Sequence, residues 1–499
     1  MPRYTLTYAP ASRSHMTAPP TVDTFHEQAS SLLADADAAI ARGDYARAVE
    51  LAGGALSLAA DGRMSVLEAH ALGALTAAEA RLGDGERAIH HGHCAIVLLQ
   101  RSGDAGRRSQ VLCNLVVAYL CVGLPADALA CATAALEAAR AVGDPSLVSW
   151  ALNRSGSTHR ALGEAQRGVQ LIEEALRLAR EHALAEEQSS ACNNLCGALL
   201  PIAAAQAGDE RARTLERAIE IGEQGLALAQ GLDNAYGATM CHGVLAGAYL
   251  AAGHLDTAFA HATRSRTLAQ RHGYRLAALT ARIISATLER ERGHVEASIA
   301  LYEALLAEMR GTDDCDWVVA VHQGLHESYK RRPDPARALE HLEALRHFDR
   351  QLQEQRARRQ VRVMLGKIDI EQASVDGDIP TGASVESGPS GSEFAIDGLD
   401  DLVRRAGPAA AAAQVDALQD WLASRARTTD RVIRVAAATL LVIHPETSLV
   451  AAEVAFARLQ ALARDADADG LGLRAVACRF VVAADVVADA AEPAPSNHA

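Results

Sequence analysis

Histidine and cysteine at helical spacing are the first residues here whose types could do chemistry. His90, His91, His93 and Cys94 crowd together, and His90 and Cys94 stand four apart, one helical turn, a spacing that can hold zinc. The only other cysteines so spaced, Cys192 and Cys196, lie far along the chain. No ligand set closes between them, so the spacing favours an incidental helix surface, and no metal, cofactor or catalytic residue is assigned. None of the nine cysteines forms a C-x-x-C pair. Most stand singly inside helical patterns, as Cys113, Cys121, Cys131 and Cys241 do, which fits small buried hydrophobes in a reducing cytoplasm.

The elements that position such residues are helices by composition. Aromatics make up 4% of the 499 residues, while alanine and leucine abound, which suits small-residue helix packing more than a β-rich core. The chain is long enough for two or more domains. A formal net charge of −14 disfavours nucleic acid or an anionic membrane as a general partner. No apolar run approaches the roughly 20 residues that span a bilayer. Residues 1–25 lack an apolar core and a cleavage pattern, and are expected to be a disordered leader.

A fixed context recurs at Gly43, Gly83, Gly123, Gly163, Gly208, Gly253 and Gly293, with a matching turn at Arg332-Pro333; the intervals are 40, 40, 40, 45, 45, 40 and 40 residues. Each break separates two helix-like runs. Glycine ends the first run and a following Asp, Glu or Pro opens the next. Such a period predicts a solenoid of helical hairpins, each burying its apolar face on its neighbours. The two longer intervals predict lengthened helices or loops around Gly208.

The pattern resembles tetratricopeptide repeats of the longer, 40-residue kind found in bacterial signalling proteins. Tyr119 and Tyr249 sit four residues before a break, and Asn114-Leu115 and Asn194-Leu195 match that family's frequent Asn-Leu. The resemblance covers roughly residues 26–350, or eight hairpins, and the array itself is assigned to residues 26–334. It implies a groove for a protein or peptide, in which Asn114 and Asn194 would grip the peptide backbone. The alternative is that both bond to neighbouring repeats or face water.

Residues 335–373 read as one long connector helix with an apolar stripe at Leu342, Leu345, Phe348 and Leu352. In proteins of this kind such helices pair as a dimeric stalk, so a homodimer is a further expectation. Its arginines alternate with Glu and Gln, which favours a solvated face. Residues 374–392, rich in Gly, Ser and Pro, read as a flexible linker.

Beyond the linker, residues 393–485 change to short strands and helices: strands at Phe394–Asp397, Val432–Val435, Thr439–Ile443 and Leu473–Ala483, with helices at Leu399–Ala406, Gln414–Ala426 and Leu449–Ala463. Residues 486–499 read as a disordered tail. Within this part, Arg427, Asp430, Arg434, Leu441–Ile443 and Pro445-Glu446-Thr447 match the frame around the signature of a GGDEF (diguanylate cyclase) domain. The resemblance implies a small, truncated α/β, ferredoxin-like domain. The fold class expected for the whole chain is therefore mainly α.

The signature itself is replaced by Ala436-Ala437-Ala438-Thr439-Leu440. A working cyclase needs carboxylates to hold two divalent cations against the triphosphate. Carried over by position, the family's first metal-binding Asp falls on Ala395, its guanine-reading Asn and Asp on Val403 and Ala412, and its phosphate-binding Lys on Asp400. The resemblance thus implies a catalytically dead domain. It also implies a retained inhibitory site for cyclic di-GMP at Arg427 and Asp430, completed by Arg458, through Arg forks and an acceptor carboxylate. The alternative is that these charges are solvated remnants. The function expected is a non-catalytic bacterial signalling scaffold, with a cyclic di-GMP receptor as the first alternative and a residual cyclase as the last.

Overall fold

The computed structural model describes residues 22–309, 315–332, 334–376, 390–397, 399–426, 431–436, 439–444, 456, 459–460 and 474–482. Helices follow one another in antiparallel pairs. The first three hairpins are α1 (Val22–Arg42) with α2 (Tyr45–Asp61), α3 (Ser65–Leu82) with α4 (Gly85–Ser102), and α5 (Ala105–Cys121) with α6 (Pro125–Val142). The next three are α7 (Pro145–Ala161) with α8 (Ala165–Glu181), α9 (Ala185–Ala204) with α10 (Gly208–Gly231), and α11 (Ala235–Ala251) with α12 (Leu255–His272). The last two are α13 (Arg275–Glu291) with α14 (Val295–Glu308), and α15 (Cys315–Arg331) with α16 (Pro335–Asp376). The expected solenoid of helical hairpins is present.

The helix ends follow from the residues at them. Gly43, Gly83, Gly103, Gly123, Gly143 and Gly163 all have positive φ, the left-handed turn that frees the last carbonyls of one helix for capping. The next helix is then started by an acceptor side chain: Asp104 takes the amide of Arg107 at 2.9 Å, Asp144 that of Ser146 at 2.8 Å, and Asn234 that of Gly237 at 2.7 Å. Arg63, Ala183 and Asp233 occupy the same conformation with a Cβ attached, at φ 54°, 53° and 51°. Left-handed backbone costs an L-residue on the order of 1 kcal/mol. Ala183→Gly is therefore expected to raise stability by about that amount, read as a higher midpoint in urea.

Small residues bring the helices together. Ala48, Ala52, Ala55 and Ala59 on α2, and Ala128, Ala132, Ala135 and Ala139 on α6, expose no surface. Their 4-3-4 spacing makes a methyl-deep stripe against which the odd-numbered helices pack. Buried hydroxyls tie the pairs: Ser109 Oγ donates to the carbonyl of Ala135 and Ser149 Oγ to that of Ala175, both at 3.0 Å.

The longer intervals lengthen helices, α9 to 20 and α10 to 24 residues. Gly208 departs from its expected place. It is the first residue of α10, and the turn falls on residues 205–207, because α9 runs on through Pro201.

The array curls far enough for its first hairpin to meet its sixth and seventh. The Tyr45, Tyr236 and Tyr274 rings form one cluster, with centroids 5.2–6.0 Å apart. The Tyr274 hydroxyl donates to the Gly43 carbonyl at 2.5 Å. Leu276 lies against Gly83.

The connector α16 runs three residues past its expected end. It returns along the array: Arg362 pairs with Glu86 at 2.8 Å and Lys367 with Asp127 at 3.2 Å, while Lys367 Nζ stands 4.8 Å over the Tyr119 ring. Leu352, Val361, Val363 and Ile370 are buried within the chain.

Beyond it lie β1 (Ser390–Asp397), α17 (Leu399–Ala406), α18 (Pro408–Ala423), β2 (Arg431–Ala436), β3 (Thr439–His444) and β4 (Arg474–Val482). The strand β1 begins inside the stretch expected as linker, and α18 starts six residues before the expected Gln414. The four strands form one antiparallel sheet in the order β2-β3-β1-β4. Phe394, Leu440, Val442, Val415, Leu418 and Leu422 make its core with α18. Of the helix expected at Leu449–Ala463, Phe456, Leu459 and Gln460 are described, and they are helical. The leader up to residue 21, residues 377–389 and the tail lie outside the described residues.

Candidate binding site inside the curled array

The odd-numbered helices turn one face inward, and the curl encloses a cavity of about 410 Å³ there. Its wall takes Gln110 and Val117 from α5, Trp150 and Arg154 from α7, Asn193 and Asn194 from α9, and Met240 from α11. Arg81 at the end of α3 and the rings of Tyr45 and Tyr236 close it. Six hairpins must therefore be in place before this cavity exists.

A chain of side-chain bonds holds its floor. Asn194 Nδ2 donates to Asn153 Oδ1 at 3.0 Å, Asn153 Nδ2 to Ser190 Oγ at 3.0 Å, and Asn193 Nδ2 to Asn194 Oδ1 at 3.2 Å. Asn193 Oδ1 is left buried without a donor. Arg81 is braced by the Ala77 carbonyl and by Asn114 Oδ1, at 2.7 and 3.0 Å. Its guanidinium stands 5.5 Å over the Tyr45 ring.

Arg154 has no such brace. Its Nε is sealed from solvent with no acceptor. Burial lowers its pKa to about 10, and the neighbouring charge of Arg81 adds to that shift. Glu186, on the same wall, is raised by burial, with Glu187 adding and Arg81 opposing. The cavity thus holds the guanidiniums of Arg81 and Arg154 and the carboxyls of Glu186 and Glu187, and burial disfavours the charged forms of Arg154 and Glu186.

Of the two asparagines expected to grip a peptide, Asn194 lines this cavity. Asn114 is 5% exposed and spends its carbonyl on Arg81 of the preceding hairpin. The residues that sequence reasoning missed are Tyr45, Arg81, Arg154, Asn193 and Tyr236. Arg154 carried a signal, being a charged residue within the small, polar run Asn153 to Ser157 on a helix whose other faces pack.

A larger cavity of about 710 Å³ lies between α4, α13, α15 and α16. Its charges are already matched: Arg282 grips Glu308 with two bonds of 2.6 and 2.7 Å, and Arg359 approaches Glu86 at 3.8 Å.

The histidine cluster does not converge. His91 bonds Glu79 at 2.7 Å, His93 bonds the Tyr119 hydroxyl at 2.6 Å, and only His90 and Cys94 face each other, at 3.8 Å. Among the described residues no group of three or more His, Cys, Asp or Glu is placed to hold a metal ion. No helix among them is long and apolar enough to cross a membrane. Arg427, Asp430 and Arg458 lie outside the described residues, as do Ala437 and Ala438 of the replaced signature. Ala395 falls on β1, Asp400 and Val403 on α17, and Ala412 on α18.

Two histidine pairs sit where helices of one hairpin meet. His242 and His261 approach Nδ1 to Nδ1 at 3.0 Å, and His322 and His341 repeat this at 3.0 Å. Tyr249 binds Glu223 beside the first pair and Tyr329 binds Glu303 beside the second. One ring must donate and the other accept, so a doubly protonated pair breaks the bond. Burial, then the partner histidine, lowers the pKa of His242 and of His322 to about 4. The unfolded chain therefore takes up protons first. Stability contributed by both pairs is expected to be complete above about pH 6.5 and to be lost as the pH falls towards 4. His242→Gln with His322→Gln should flatten that fall in the urea midpoint.

No family model matches the chain, and no curated protein matches it. Solved structures do. A Rap protein complexed with competence and sporulation factor is 15% identical, with a TM-score of 0.46, over 58% of this chain and 80% of that one. A tetratricopeptide-repeat protein of Thermus thermophilus is 19% identical, with a TM-score of 0.34, over 44% and 98%. The apo form of RapI is 10% identical, with a TM-score of 0.38, over 65% and 98%.

Proposed function

We propose that the chain is a non-catalytic scaffold whose helical array binds a protein or peptide segment on its inward face. The observation that carries this reading is the 410 Å³ cavity on the inward face, lined by the side-chain amides of Gln110, Asn193 and Asn194 and by the apolar Val117, Trp150 and Met240. An extended peptide offers one carbonyl acceptor and one N–H donor per residue, which side-chain amides can meet. Selection of a displayed random-peptide library on the full chain tests this. Binders should emerge, and Asn193→Ala should weaken them about tenfold, the loss of one hydrogen bond. A selection that yields no binders, or binders indifferent to Asn193, sinks the reading.

For the C-terminal part the proposal is a degenerate GGDEF-like module without turnover. Its support is the replaced signature and the antiparallel order β2-β3-β1-β4 with two helices after β1, the order of a ferredoxin-like sheet. With Ala395 and Asp400 where the family keeps a metal-binding Asp and a phosphate-binding Lys, GTP with Mg²⁺ or Mn²⁺ should give no cyclic product. A second reading makes the module a cyclic di-GMP receptor through Arg427, Asp430 and Arg458. Calorimetric titration beside Arg427→Ala decides it: micromolar binding lost in the variant supports the receptor, and no heat removes it.

A further inference from the structure

The eighth hairpin ends in a helix unlike the others. The helix α16 has 42 residues, where α14 has 14 and α10 has 24. Its first turns pair with α15 as in any hairpin, and the remainder crosses to the second and third hairpins. One face makes that crossing, because Arg356, Arg359, Val363, Lys367 and Ile370 follow one another at spacings of 3, 4, 4 and 3. Arg356 lies over Gly123, Arg359 stands 3.8 Å from Glu86, and Lys367 pairs with Asp127 at 3.2 Å. Val363 and Ile370 enter the core built by the first three hairpins. Where α2 and α6 meet their neighbours through alanine, this face of α16 meets the array largely through cations.

We propose that residues 352–370 of α16 are an electrostatic latch that holds the array curled, and that screening its charges releases it. Glu86 and Asp127 stand in the first turns of α4 and α6, where the helix end carries a positive partial charge. The cations of α16 stay there because these two carboxylates answer them. Both pairs are partly exposed, so each contributes little and weakens as salt rises. Gln355 Oε1 and Arg362 Nε are sealed from solvent without a partner, and undocking rewets them. Val361, Val363 and Ile370 supply the apolar hold. The contact is therefore balanced between holding and release. It bridges the same gap as the tyrosine cluster, which joins the first hairpin to the sixth and seventh, while α16 joins the eighth to the second and third. The two closures are neighbours, since Gly83, Leu276 and Arg359 line one cavity. Release loosens the curl and with it the inward cavity, whose wall needs six hairpins brought round.

Hydrogen exchange on the full chain tests the latch, in sodium chloride at about 0.01 M and about 1 M, where the screening length falls from roughly 30 Å to roughly 3 Å. Arg362→Gln with Lys367→Gln, measured beside the wild type, removes two partly exposed cations and leaves the array's own residues intact. High salt on the wild type, and the variant at low salt, should each speed exchange in residues 356–370 about tenfold, the loss of two such pairs. Residues 40–45 and 270–274, at the tyrosine cluster, should speed with them. Residues 335–348, paired with α15, should keep their protection. Asp127→Lys should remove the low-salt protection of 356–370, and adding Lys367→Asp should restore it, a rescue that damage to α6 alone would not show. Unchanged exchange in 356–370 under both treatments overturns the proposal, as does faster exchange there with the tyrosine cluster unmoved. Uniformly faster exchange along every helix is general loosening and overturns it too, as does a variant that responds to salt as strongly as the wild type. No ligand enters these measurements, so the peptide reading stands or falls separately.

Discussion

Tyr274→Ala is expected to destabilise the chain by about 3–5 kcal/mol, the range for deleting a buried aromatic, and to open the array. The ring is 1% exposed, is shared between Tyr45 and Tyr236, and sends its hydroxyl to the Gly43 carbonyl. Its loss removes the packing and the hydrogen bond that join the first hairpin to the sixth and seventh. Small-angle scattering should therefore report a larger radius of gyration alongside the lower urea midpoint. Tyr274→Phe keeps the packing, and should cost only about 1 kcal/mol without changing the radius. A Tyr274→Ala chain as compact as the wild type would mean that the contact is incidental to the curl.

The second large effect is expected at Gly43. Its φ of +82° already strains any L-residue, and an added Cβ would lie 2.8 Å from the Tyr236 amide nitrogen and 3.0 Å from the Tyr274 hydroxyl. Gly143 provides the control, with φ +75° and nothing within 4 Å of a Cβ placed there. Gly143→Ala should cost about 1–2 kcal/mol, the left-handed strain alone. Gly43→Ala should cost that plus the roughly 1–3 kcal/mol of overpacking, because a backbone atom cannot swing aside as a side-chain tip can. Equal losses in the two variants would place Tyr236 and Tyr274 away from Gly43 in solution.

The repeats were legible because their signals are local. A left-handed glycine and an Asp acceptor two or three residues before the amide it takes fix each helix end within a few residues of sequence, as at Gly103 and Asp104. Gly208 misled because α9 continues through Pro201, a residue that usually ends a helix before it. The curl had no such signal. Tyr274 and Gly43 stand 231 residues apart, and nothing around either residue marks the other as its partner. Asn114 was picked out by a repeat motif, which locates an inward-facing helix position. The motif does not reveal that Arg81 reaches that position first. Arg154 stood out only as a charge within the polar run Asn153 to Ser157, and the assembled wall alone shows which segments it shares a cavity with. At the C-terminal sheet, strands such as Thr439–His444 follow from β-branched, apolar runs. The residues that would hold cyclic di-GMP lie outside the described ones, so that expectation stands on the sequence frame alone.

The inward face as the binding surface is tested most directly by hydrogen exchange on the full chain, with and without a library-selected peptide. Protection is expected on the helix segments that line the smaller cavity, residues 146–154, 186–194 and 234–241. Slower exchange around Tyr45 and Tyr274 should accompany it, since a bound segment also holds the curl. Protection confined to the even-numbered helices, or to the strands β1 to β4, with the inward segments unchanged, would contradict the account.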